Sequence, residues 1–174
     1  MNLTNYYWYF QSAIPPRICD DIVKYGQQMQ DEMAVTGGYS NSKKLNQKQI
    51  KDLKTKRDSN IVWINDRWVY KEIQPYVHQA NASAGWNFQW DFSESCQFTK
   101  YKKGQYYDWH CDGWDKPYQR QEGNPSHGKI RKLSVTVTLS DPKDYKGGEL
   151  EFDFRNFDPD KKRNIKKCTE ILPK

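Results

Sequence analysis

Hydrophobic positions recur at helical spacing in the first half of this chain and at alternating spacing in the second. Ile18, Ile22, Tyr25, Met29 and Met33 are separated by steps of four, three, four and four, which lines one helical face. Pro15 and Pro16 suit the first turn of such a helix, where a missing N–H is tolerated. The stretch TGGYSNSKK ends it. Val69, Ile73, Val77 and Ala80 mark a second helix, with Asn65 placed to cap it and Pro75 interrupting its middle. Residues 41–58 are polar and predict a loop with a short helical piece. IVWI at 61–64 reads as a strand or a buried segment, and YYWYF at 6–10 as an opening strand.

After Gly85 the pattern changes. WNFQWDF, SCQFTKY, QYYDWHCD, KLSVTVTLS and GELEFDF are rich in aromatic and β-branched residues and are separated by turn residues, which predicts successive strands. In the clearest of them Leu133, Val135, Val137 and Leu139 alternate with Ser134, Thr136 and Thr138. A small-polar face opposite an apolar one suits a barrel that holds a polar ligand. Helices followed by strands indicate an α+β fold. Residues 1–174 are expected to form one domain, with 1–85 as helical support and 86–174 as strands.

Composition narrows the class. Hydrophobic residues are 36% of the chain and aromatics 15%, so Tyr and Trp supply much of the packing. No run approaches the roughly eighteen apolar residues of a membrane span, and MNLTNYYWYF lacks the form of a signal peptide. A cytoplasmic protein without membrane attachment is expected. Cys19, Cys96, Cys111 and Cys168 form no CxxC pair and read as free thiols. The net charge is +6, but residues 155–174 hold seven basic and three acidic side chains, so the excess sits mainly at one end. That distribution argues against a broad nucleic-acid face and reads as a solvated loop.

The candidate chemistry lies in HCDGW at 110–114. On a strand, residues i and i+2 share a face, so His110 and Asp112 can reach a single ion together. A neutral imidazole and a carboxylate also begin the two-His-one-carboxylate set that binds non-haem iron. Of the other histidines, His127 reads as an exposed loop residue and secondarily as a substrate contact, while His78 reads as structural on the second helix. Trp109 and Cys111 read as packing residues, and Trp114 as a hydrophobic shield beside the substrate. The loop at 117–130 is dense in Gly, Pro and charge and is expected to form a mobile entrance.

The ordered pattern Tyr101-x-x-Gly104-x-x-Tyr107-x-x-His110-x-Asp112, Arg131-x-x-Ser134, Leu139-Ser140-Asp141-Pro142 and Gly147-Gly148-Glu149-Leu150 resembles the Fe(II)/2-oxoglutarate-dependent oxygenases. The closest resemblance is to the prolyl-4-hydroxylase-like branch, in its small microbial and phage forms. IPPRICDDI and the Trp68-x-Tyr70 helix are similar to that branch's N-terminal support. The resemblance implies a double-stranded β-helix, or jelly-roll barrel, backed by N-terminal helices. It implies Fe(II) held by His110, Asp112 and a distal histidine, with 2-oxoglutarate and O2 as co-substrates and ascorbate as an auxiliary. Tyr101 matches the tyrosine that faces 2-oxoglutarate, and Thr138, seven residues after Arg131, a further co-substrate contact. Trp114 and Arg131 fall at substrate positions.

A peptidyl proline is the substrate this branch implies, with succinate and carbon dioxide as products. A nucleobase or small molecule as substrate, and a non-catalytic binding module, are the competing readings. The chain departs from the family pattern in showing no distal histidine and no following basic residue. The expectation is therefore that the last barrel strands are missing, through truncation, degeneration or a split in which a partner chain supplies them.

Overall fold

The computed structural model describes residues 6–36, 42–113, 115–153 and 165–167. These give an α+β fold with short strands. Helix α1 spans Pro16–Gln28, α2 Gln47–Lys54 and α3 Arg67–Ser83. The strands are β1 Glu32–Met33, β2 Arg57–Asp58, β3 Asn60–Ile64, β4 Cys96–Lys100, β5 Tyr106–Tyr107, β6 Glu151–Asp153 and β7 Ile165–Lys167. The chain falls into two compact units, one of Met1–Val23, Glu72–Asn87 and Thr136–Lys174, the other of Lys24–Lys71 and Phe88–Val135.

In the first unit Ile14, Cys19 and Ile22 are buried, and Cys19 and Ile22 sit one helical turn apart on α1. The Phe10 ring meets Tyr76 edge-on at 5.3 Å between centroids, while the Tyr76 hydroxyl donates to the Ala13 carbonyl. Tyr7 stacks on Phe152 at 5.2 Å. β6 pairs with β7 antiparallel, Phe152 opposite Lys166. Pro75 lies inside α3 without ending it.

The second unit is organised by an antiparallel sheet in the order β1-β3-β4. Val62 and Ile64 of β3 lie opposite Phe98 and Cys96 of β4. Both are buried, and they share a face because they are two residues apart. Helix α1 comes down on the Phe98 ring at Gly26, where an added Cβ would lie 2.6 Å from the ring. Glycine is required there by proximity. On α3, Trp68 meets Tyr25 edge-on at 5.7 Å.

Several expected elements take another form. Helix α1 stops at Gln28, and Met33 belongs to β1, where Glu32 and Met33 pair with Ile61 and Asn60. Its backbone is taken by a neighbouring strand although the helical spacing of side chains continues. Helix α3 begins at Arg67, which leaves Asp66 and not Asn65 at its N-terminal boundary. Residues 6–10, 86–92 and 131–139 are not in ladders, and Val135 is 57% exposed. Alternation gives a segment two faces, but a strand also needs a partner for its N–H and C=O groups. No such partner pairs with these segments among the described residues. The same shortage leaves three separate sheets and no closed barrel among those residues.

The 117–130 loop carries its own turns, with Tyr118 N donating to Lys129 O and Gly128 N to Tyr118 O. Of the described cysteines, Cys19, Cys96 and Cys111 are free thiols. Cys168 and most of the basic 155–167 run lie outside the described residues.

Gly26→Ala tests the helix–sheet approach. Alanine should gain up to about 1 kcal/mol of helix propensity, but overpacking against Phe98 should cost about 1–3 kcal/mol. Net destabilisation in urea unfolding is expected, relieved in the double variant with Phe98→Leu. A stabilised single variant would contradict the packing.

Candidate metal centre

The site grows from a two-residue ladder. Asn46 and Gln49 form a capping box that starts α2, each bonding the other's backbone N–H at 2.9 Å. Leu53 anchors the helix by burial, and the chain then turns into β2. Arg57 and Asp58 pair with Tyr107 and Tyr106 of β5. One further bond, Asp108 N to Lys56 O at 2.8 Å, carries the pairing past the strand end. The Tyr106 hydroxyl closes the other side by donating to Lys54 O at 3.0 Å.

Arg57 is a buried cation, 5% exposed. Its Nε donates to the Ser59 hydroxyl at 3.0 Å, and its guanidinium lies 4.4 Å from the centre of the Tyr107 ring. The ring's negative face offsets part of the desolvation of the charge. Tyr101 belongs to the same cluster. Burial pushes its hydroxyl above the ordinary phenol range, opposed by the Arg57 charge and a hydrogen bond with Ser59.

His110 stacks on the Tyr107 ring at 3.5 Å between centroids. Its Nδ1 lies 2.7 Å from the Asp108 carbonyl oxygen. A carbonyl only accepts, so Nδ1 carries a proton and Nε2 is the free nitrogen of the neutral ring. Nε2 lies 3.1 Å from Asp112 Oδ1. The Ser134 hydroxyl donates to Asp112 Oδ2 at 2.6 Å, and Arg131 Nη1 donates to the Asp112 backbone carbonyl. Arg131 is itself paired with Glu94 through two bonds of 2.9 and 2.6 Å. His110 and Asp112 thus sit beyond the end of β5, on irregular backbone, and still converge.

The charges reinforce one another. The hydrogen bond to Asp112 raises the His110 pKa above 6.5 against an opposing desolvation. The same bond, helped by Ser134, holds Asp112 down at about 2.

The residues fit a metal ion. Two ligands with bonds of about 2.0–2.2 Å at a right angle are about 3 Å apart, and the 3.1 Å separation of Nε2 and Oδ1 matches that. The Nδ1 bond to Asp108 fixes the ring in the way metal-bound histidines usually are. Among the described residues no group of three or more His, Cys, Asp or Glu side chains converges, so the described donor set is two.

His110, Asp112, Tyr101 and Arg131 are thus brought into one unit, and Thr138 lies in the other. Trp114 lies outside the described residues. His127 is exposed and its Nδ1 meets the Arg120 carbonyl, and His78 lies on α3. Trp109 and Cys111, expected as packing residues, are exposed, because they flank His110 beyond the ladder. Sequence reading passed over Arg57, Ser59 and Glu94. Arg57 stands in a stretch read only as polar, and nothing local marks Glu94. Ser134 appeared in the Arg131-x-x-Ser134 pattern without a role.

Residues 96–173 match the family model described as the 2OG-Fe(II) oxygenase superfamily. No curated protein and no solved structure matches the chain.

The charge coupling predicts a pH window. His110, with its raised pKa, contributes stability fully below pH 6.5 and loses it as pH rises through the raised value. Asp112 contributes above 3.8 and loses it as pH falls toward about 2. The pair should therefore stabilise most between those limits. NMR titration should place the His110 midpoint above 6.5 and show it fall in Asp112→Asn; an unmoved midpoint would deny the coupling.

Proposed function

This chain belongs, through residues 96–173, to the 2OG-Fe(II) oxygenase superfamily, and on that premise we propose that it hydroxylates a C–H bond of a peptidyl side chain, proline first. The general class is a dioxygenase using Fe(II), 2-oxoglutarate and O2. The observation that carries the reading to residues is the convergence of His110 Nε2 and Asp112 Oδ1 at 3.1 Å inside the matched stretch. Proline is supported by the likeness of the Tyr101-to-Asp112 pattern to the prolyl-4-hydroxylase-like branch. The jelly-roll barrel is likewise proposed from the family.

When bound, Fe(II) supplies the oxidative chemistry that splits 2-oxoglutarate into succinate and carbon dioxide and hydroxylates the substrate. The residues of this chain position it. His110 and Asp112 would hold the ion, one as a neutral and one as an anionic ligand. The Asp108 carbonyl keeps the His110 ring in the tautomer that presents Nε2. The Tyr107 ring restricts rotation of that imidazole by stacking on it. Tyr101, its hydroxyl beside Ser59 and Arg57, is assigned to face 2-oxoglutarate. Thr138 is assigned to the co-substrate from its spacing to Arg131 alone. A peptide or protein is the proposed partner. Among the described residues, no helix is long and apolar enough to cross a membrane.

The reading is tested by anaerobic addition of Fe(II) and 2-oxoglutarate, followed by admission of air with a proline-containing peptide. A visible charge-transfer band, succinate, and a peptide heavier by one oxygen atom are expected. Asp112→Ala removes the anionic ligand and should reduce succinate to background. Undiminished succinate from that variant would remove the site from the mechanism, while succinate without peptide oxidation would point to another substrate.

A further inference from the structure

We propose that Ser134 and Glu94 are positioning residues for the metal-binding carboxylate, Ser134 by holding Asp112 Oδ2 and Glu94 by holding Arg131 on the Asp112 backbone. The inference rests on the reading of His110 and Asp112 as metal ligands.

The Asp112 side chain is 51% exposed, so burial does not select its rotamer. An aspartate carboxyl has a broad terminal torsion, and either oxygen can turn toward an ion. Its Oδ1 is held by His110 at 3.1 Å. That contact joins the two proposed ligands to each other and anchors neither from outside. Two further contacts hold the aspartate. The Ser134 hydroxyl at 2.6 Å keeps Oδ2 engaged and leaves Oδ1 toward the ion. Arg131 keeps the peptide carbonyl of Asp112 in place.

Ser134 and Arg131 belong to one irregular segment, which no ladder fixes among the described residues. Its restraint is the two-bond pair of Arg131 with Glu94, planar and charge-assisted. Gly113 lets the chain pass close, since a Cβ there would sit 3.4 Å from the Arg131 carbonyl oxygen. Glu94 thus acts on Asp112 through Arg131, from eighteen residues earlier in the chain.

The test titrates Mn(II) into the 174-residue chain, following binding by EPR and the Asp112 side-chain couplings by NMR. Wild type should bind Mn(II) in a His110-dependent way and show one dominant Asp112 rotamer before metal is added. Ser134→Ala should average the couplings and weaken Mn(II) binding about tenfold, the lower end for lost outer partners of metal ligands. Ser134→Thr should restore both. Glu94→Gln should weaken binding by a smaller factor, whereas Asp91→Asn, which breaks the neighbouring pair with Lys129, should change neither readout. Thermal midpoints identify any variant that loses its fold, in which case Ser134→Thr and Glu94→Gln decide. His110-dependent binding that neither Ser134→Ala nor Glu94→Gln weakens overturns this inference alone. Absence of His110-dependent binding in wild type overturns the functional reading and this inference with it.

Discussion

The candidate centre depends on a ladder of two residue pairs, Arg57 with Tyr107 and Asp58 with Tyr106. Directly after Tyr107 the chain leaves the ladder, yet three residues later it must present an imidazole nitrogen in a fixed direction. The ladder does this by placing the Asp108 amide on Lys56 and so aiming the Asp108 carbonyl at His110 Nδ1. The Tyr107 ring, set by its own pairing, then supplies a flat surface for the imidazole. Short strands suffice because each backbone contact restrains the next side chain.

Charge gives the centre its second property. Arg57 is buried beside Tyr107, the ring on which His110 stacks, and it opposes protonation of that histidine. Asp112 acts in the other direction and prevails, because its hydrogen bond is direct. A metal ion would enter against this pairing, displacing the proton from Nε2 while keeping the same two atoms as neighbours. The geometry therefore favours a proton between these two atoms, and under the proposed function a metal ion would take its place. Glu94 and Arg131 compensate each other at the edge of this arrangement, and Ser134 satisfies the carboxylate oxygen that faces away.

How much of this is legible in the sequence differs by element. Val69, Ile73 and Val77 mark α3 because helical spacing is a local property that a continuous run expresses by itself. IVWI and SCQFTKY mark β3 and β4, whose β-branched and aromatic residues also find each other as partners. The 131–139 segment has the clearest alternation of all and forms no ladder among the described residues. Pairing is supplied by a second segment, and nothing in Leu133 to Leu139 specifies one. Met33 shows the same limit, since it keeps helical spacing with Met29 but its backbone belongs to β1.

The sequence by itself determined the candidate pair, because His110 and Asp112 stand one residue apart in an ordered pattern of Tyr, Gly and Arg. It also determined where the helices lie, through spacing that needs no distant partner. Only the tertiary structure decided that His110 and Asp112 converge without a strand beneath them, that a buried Arg57 stands beside the Tyr107 platform, and that Glu94 reaches Asp112 through Arg131. The last two are relations between residues eighteen to fifty apart, set by which backbone groups pair and which charges must be compensated. No local pattern encodes them, since each depends on the position of an atom contributed by another segment.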